Sequence, residues 1–122
     1  MSQVKLDLIT ERPDGTFVMY LVEQGPWTAE PTSHLCAIQE RLYDYFDVAV
    51  GGHLANLYPD SAGRPVVIRV DSYDTPKHKV ADFVQHFSGV IANSSEHQNA
   101  IRRSPHLASL TFECEEKDLG AE

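Results

Sequence analysis

The sequence predicts a two-layer α/β sandwich of order ββαβαβ, a four-stranded sheet covered on one face by two helices. Three observations carry this. β-rich runs occur at 4–10, 17–23, 65–73 and 107–116, with apolar residues recurring at period two. Two other segments repeat apolar residues at helical spacing instead. Gly, Pro and Asp punctuate the boundaries. Four strands with one apolar face need a cover, and two amphipathic helices supply it.

The elements follow in order. Residues 4–10 (VKLDLIT) alternate, with Val4, Leu6 and Leu8 on one face and Lys5 and Asp7 on the other. The run 17–23 (FVMYLVE) is the second strand, and Asp14-Gly15 between the two readily supplies positive φ, so a β-hairpin opens the chain. Residues 24–33 (QGPWTAEPTS) break the sheet pattern. Thr28 is the expected N-cap, and Pro31 is tolerated in a first helical turn whose N–H groups lack partners anyway. The helix that follows aligns Leu35, Ile38, Leu42, Tyr45, Phe46 and Ala49 and stops at Gly51-Gly52.

A helical turn and a polar loop fill 53–64, and 65–73 (PVVIRVDSY) is a third strand with Val66, Ile68 and Val70 on one face. Asp74-Thr75-Pro76 reads as a helix start. The second helix gathers Val80, Phe83, Val84, Phe87, Val90 and Ile91 on its inner stripe. A short third helix near 95–103 begins at Ser95, with Gln98 completing a capping box. The last strand, 107–116, turns Ala108, Leu110, Phe112 and Cys114 inward. Residues 1–116 form one domain able to bury a single core, and 117–122 are expected to fray.

Composition narrows the function. The chain carries 18 Asp and Glu against 10 Lys and Arg, a formal charge of -8. That balance repels phosphate backbones, and Arg102-Arg103 is the sole adjacent basic pair, so nucleic acid is not the expected partner. The N-terminus lacks the basic-then-apolar pattern of a signal peptide, and no apolar run approaches a membrane span. The expected location is the cytoplasm, where Cys36 and Cys114 are reduced thiols in or near the core.

No catalytic residue, metal ligand set or cofactor is expected. The six histidines form no HExxH or HxxxH pair and sit at no zinc spacing with cysteine. Neither a GxSxG elbow nor a P-loop occurs. Two surfaces remain as candidates for contact. Glu40, Asp44 and Asp47 share the helix face opposite the apolar stripe, which reads first as a solvated face and second as an acidic docking stripe. Val18, Tyr20 and Val22 share one strand face and Val67, Arg69, Asp71 and Tyr73 another, a mix of Tyr, Arg and Val enriched in interfaces.

Trp27, the helix sequence HLCAIQERLYDYF and the stretch HLANLYPDSAGRPVVIRV resemble a small bacterial domain-of-unknown-function family. Its pattern is a Trp, a helix reading HL-x-x-LQ-x-K-L-N-x-Y, then Tyr-Pro, a Gly turn and a Val/Ile strand. The matching residues are Trp27, His34, Leu35, Gln39, Arg41, Leu42, Tyr45, Tyr58, Pro59, Gly63, Val67 and Ile68, within residues 4–92. The chain departs from the pattern at Tyr43, where the family has Asn, and in its longer 93–106 segment. The resemblance implies the fold and a bacterial origin, and it carries no catalytic residues.

The leading expectation is a non-enzymatic protein-binding domain, in the manner of an immunity protein that neutralises a basic toxin domain. Its contact residues would be Glu40, Asp44, Asp47, Tyr20, Arg69 and Tyr73. An alternative is a small-ligand binder or enzyme with a pocket at Trp27, His34, His53 and Tyr58. A third is a homodimeric structural module paired through the outer sheet face; the chain is a monomer or a homodimer.

Overall fold

A computed structural model describes residues 7–28 and 30–117. Four strands form one sheet in the order β1 (Leu8–Glu11), β2 (Phe17–Gln24), β3 (Pro65–Tyr73), β4 (Ser109–Lys117). β1 is antiparallel to β2, whereas β2–β3 and β3–β4 are parallel. Parallel neighbours need crossovers, and helices provide them. β2 reaches β3 through α1 (Pro31–Val50), the short α2 (His53–Leu57) and a 3-10 turn at Pro59–Ser61. β3 reaches β4 through α3 (Lys79–Asn93) and α4 (Ser95–Arg103). Both crossovers step in the same direction along the sheet, so right-handed connections place α1 and α3 on one face. The packing agrees: α1 touches β2, β3 and α3, and α3 touches β4. The α/β sandwich is therefore present, and no described helix is long and apolar enough to cross a membrane.

The core lies between the layers. Met19 and Leu21, Val66, Ile68 and Val70, and Leu110 point from the sheet to Ile38, Leu42, Tyr45, Phe46 and Ala49 of α1. Val80, Val84, Phe87 and Ile91 close it from α3. The helical spacing of α1 thus reads its buried stripe correctly, with Leu35 at the margin. Aromatic rings lock the helix layer, since Phe87 meets Tyr43 and Phe112 edge-on at 5.0 and 5.3 Å.

Local signals are met in part. Gly15 (φ 91) and Gly52 (φ 95) take the left-handed conformations that the hairpin and the end of α1 demand. The phase of β1 is the reverse of the alternation: Leu8 is 52% exposed and Ile9 packs on the core, because register with β2, not the isolated pattern, sets the face. Val4 and Leu6 lie outside the described residues. α1 starts after Glu30 rather than Thr28, since Pro31 tolerates the first turn and leaves the preceding residue extended. α3 starts at Lys79, three residues beyond Pro76, because Asp74 and His78 adopt positive φ. Glu116 accepts from the N–H groups of His78 and Ala81 at this helix's start, a cap supplied by a distant strand.

The cap of α4 is Ser94, which accepts from the His97 N–H, one residue before the expected position. Gln98 donates to the Ile91 carbonyl instead of closing a capping box. Val90 is 43% exposed and Ala108 precedes β4, so neither belongs to the core. Lys117 is the last residue of β4 rather than the first of a frayed tail, and Cys36 is exposed.

Candidate functional site

The face of the sheet away from the helices carries Leu8 and Thr10 of β1, Val18, Tyr20 and Val22 of β2, and Val67, Arg69, Asp71 and Tyr73 of β3. From β4 it carries Thr111, Glu113, Glu115 and Lys117. Tyr20, Arg69 and Glu113 stand in one row across three strands. Arg69 lies over the Tyr20 ring at 5.7 Å and donates to Asp71 at 2.8 Å and to Glu115. Asp71 is only 4% exposed, and Lys117 approaches it at 3.6 Å while lying over the Tyr73 ring at 5.5 Å. Hydrogen bonding to Asp71 foremost holds the Arg69 guanidinium above its ordinary pKa.

Arg12, just beyond β1, forms a forked ion pair with Glu113 of β4, at 2.8 and 3.2 Å. Arg12 sits at the turn end of the row of Thr10, Val18 and Val67, and Glu113 lies on its other side. The pair therefore crosses that row, where Val18 is 0% and Val67 6% exposed although no described helix covers them. Parallel strands are normally shielded on both faces; here, long charged side chains shield the second. Arg12, Arg69 and Lys117 meet Asp71, Glu113 and Glu115, so this face is neutralised within itself.

α1 presents the contrasting surface. Glu40, Asp44 and Asp47 are exposed on the side away from the sheet, and none makes an ion pair among the described residues. They repel each other at spacings of four and three residues. Asp47 lies in the last turn, where no basic residue stands and the helix dipole disfavours negative charge. The six expected contact residues thus fall on opposite layers of the sandwich. Tyr20 and Arg69 are brought together with Tyr73 nearby, Glu40, Asp44 and Asp47 form a second group, and the core separates the groups.

The expected pocket residues also divide. The Trp27 ring stacks on His34 at 4.6 Å, near the start of α1, and Trp27 Nε1 donates to Glu23 at 3.1 Å. His53 lines a cleft with Gly51, Gly52 and His106 at the far end of that 20-residue helix, about 25 Å along its axis from His34. Tyr58 lines a separate cleft beside β1. No single pocket holds all four, because α1 stands between Trp27 and the 53–58 segment.

Cys114 is not set up as a nucleophile. Burial pushes the Cys114 pKa up to about 11, away from the reactive thiolate. Among the described residues no three His, Cys, Asp or Glu side chains gather to hold a metal. The groups that sequence reasoning missed are Arg12 and Glu113 on the sheet and the tie between Asp7 and Arg41, 2.7 Å. The alternation of 109–117 marks Glu113 and Glu115 as facing together, but only the strand order brings them beside Arg69.

The model of a family of unknown function, DUF6572, matches residues 1–100 and includes the whole stretch that carries the resemblance. No curated protein and no solved structure matches the chain.

Proposed function

The chain belongs to the DUF6572 family, whose function is unknown, and on that premise we propose that it is a non-enzymatic protein-binding domain. It would engage a basic partner through the acidic face of α1. The carrying observation is the contrast between the two surfaces. The carboxylates of the sheet's outer face, Asp71, Glu113 and Glu115, are paired in place, whereas Glu40, Asp44 and Asp47 are exposed and make no ion pair among the described residues. Folding gains nothing from three carboxylates that repel one another, the last of which, Asp47, also opposes the helix dipole. A basic partner gains a complementary field that speeds encounter. A toxin domain with a basic active site is one such partner, and masking it would make this chain an immunity protein.

The test is affinity capture from a lysate of the native source, with wild type beside the triple variant Glu40→Gln, Asp44→Asn, Asp47→Asn. A partner with a basic face should bind wild type, dissociate as salt rises, and be lost by the variant. Equal capture by both proteins would reject the α1 surface.

A further inference from the structure

β1 is an edge strand, paired on one side with β2 and on the other with no described strand. Half of an edge strand's backbone N–H and C=O groups point outward, ready to pair with another chain. Proteins blunt such edges by keeping them short or with charged residues, Pro or a bulge; β1 is four residues long and contains neither Lys nor Pro, and its one charge is Glu11.

The surroundings of this edge are unusually apolar. Of the four large hydrophobic side chains exposed among the described residues, Leu8 (52%) stands on β1, and Leu57 (53%) and Tyr58 (41%) stand beside it. Leu57 and Tyr58 join Ile9 and Phe17 in lining a cleft of about 380 Å³ that runs along β1. Glu11 and Asp60 line the same cleft. Both are exposed, and neither makes an ion pair among the described residues.

We infer that this edge and its cleft bind an extended, basic-apolar segment of a partner protein, which adds to the sheet beside β1. Strand addition supplies backbone hydrogen bonds, and a neighbouring cleft selects alternate side chains. An apolar side chain of the segment enters between Leu57 and Tyr58. Lys or Arg at its neighbouring positions meets Glu11 and Asp60. An acidic segment would place like charges together and is excluded by the same two residues. The site shares no residue with the acidic face of α1 and does not depend on that proposal.

The test is a titration of the ¹⁵N-labelled full chain with an acetylated, amidated Lys-Val-Arg-Leu-Lys peptide and with its Glu-for-basic counterpart. The basic peptide should shift the amides of residues 8–11 and 53–60. Leu57→Ser with Tyr58→Ser, both at exposed positions, should weaken binding about tenfold or more. Glu11→Lys with Asp60→Lys should do the same, while the α1 triple variant binds like wild type. The proposal is overturned by shifts confined to α1, by equal binding of the acidic peptide, or by unchanged affinity in the Leu57/Tyr58 variant. It is also overturned if the same amides shift with protein concentration alone, which would make a second copy of the chain the occupant.

Discussion

Arg12 Nη2 stands 2.8 Å from Glu113 Oε1, although Arg12 follows one edge strand and Glu113 lies in the other. The contact spans the sheet across the row that holds Val18 and Val67, where a second helical layer lies in most parallel sheets. Both partners remain more than a third exposed, so the pair contributes little Coulombic stability. Its effect is cover.

Arg12→Ser should therefore leave the fold intact by circular dichroism yet raise the binding of a hydrophobic dye, as the Val18–Val67 row opens to solvent. A dye signal equal to wild type would show that the cover comes from elsewhere.

Tyr45→Phe removes a hydroxyl that accepts from the Asp7 N–H at 3.2 Å and donates to the Tyr20 carbonyl at 3.0 Å. The ring is 1% exposed, and burial raises the pKa of its hydroxyl. The loss should be about 1–2 kcal/mol in urea unfolding, the cost of leaving partly buried backbone groups without a partner. No change in the midpoint would mean that water replaces the hydroxyl.

Phe46→Ala empties the centre of the helix layer, where the ring is 4% exposed and meets His97 edge-on at 5.2 Å. A loss of about 3–5 kcal/mol is expected from the missing contacts and the cavity left behind. Less than about 1 kcal/mol would mean that the layer repacks to fill the space.

The two cysteines should separate by reactivity. Cys36 is exposed and should be alkylated first by iodoacetamide at pH 8, while Cys114 reacts mainly on unfolding. Burial raises the Cys114 pKa from 9.0 to about 11, so the folded chain holds a proton that the unfolded chain releases in that interval. Its contribution is complete below pH 9 and falls as pH rises towards 11. Cys114→Ala should flatten that decline; an identical slope would remove Cys114 as its source.

The triple change at Glu40, Asp44 and Asp47 to their amides should leave unfolding free energy unchanged or raise it by less than about 0.5 kcal/mol per relieved pair. A clear loss would mean that these carboxylates support the fold and would weaken the case for a partner.

The stripe of α1 was legible because a helix samples the core at its own period of 3.6 residues, so Ile38, Leu42, Tyr45, Phe46 and Ala49 declare their burial locally. The same holds for β3, whose Val66, Ile68 and Val70 alternate inward. The Asp14-Gly15 turn was equally local, since it depends on one residue's freedom to take positive φ. Where a neighbour decides the outcome, local pattern failed. β1 took the opposite phase because β2 sets its register, and α3 began late because Glu116 of β4 supplies its cap.

Sequence by itself determined the ββαβαβ order, the apolar stripes and the acidic face of α1, all set by residues within a few positions of each other. Only the tertiary structure decided that Arg12 reaches Glu113, that Asp71 is buried between Arg69 and Lys117, and that Leu57 and Tyr58 stand beside the free edge of β1. Apart from Arg69 and Asp71, two residues apart on one strand, those pairings join segments far apart in the chain, including Arg12 and Glu113 at a separation of 101 residues. Periodicity tells which way a side chain points from its own element; strand order and layer packing tell what it meets there.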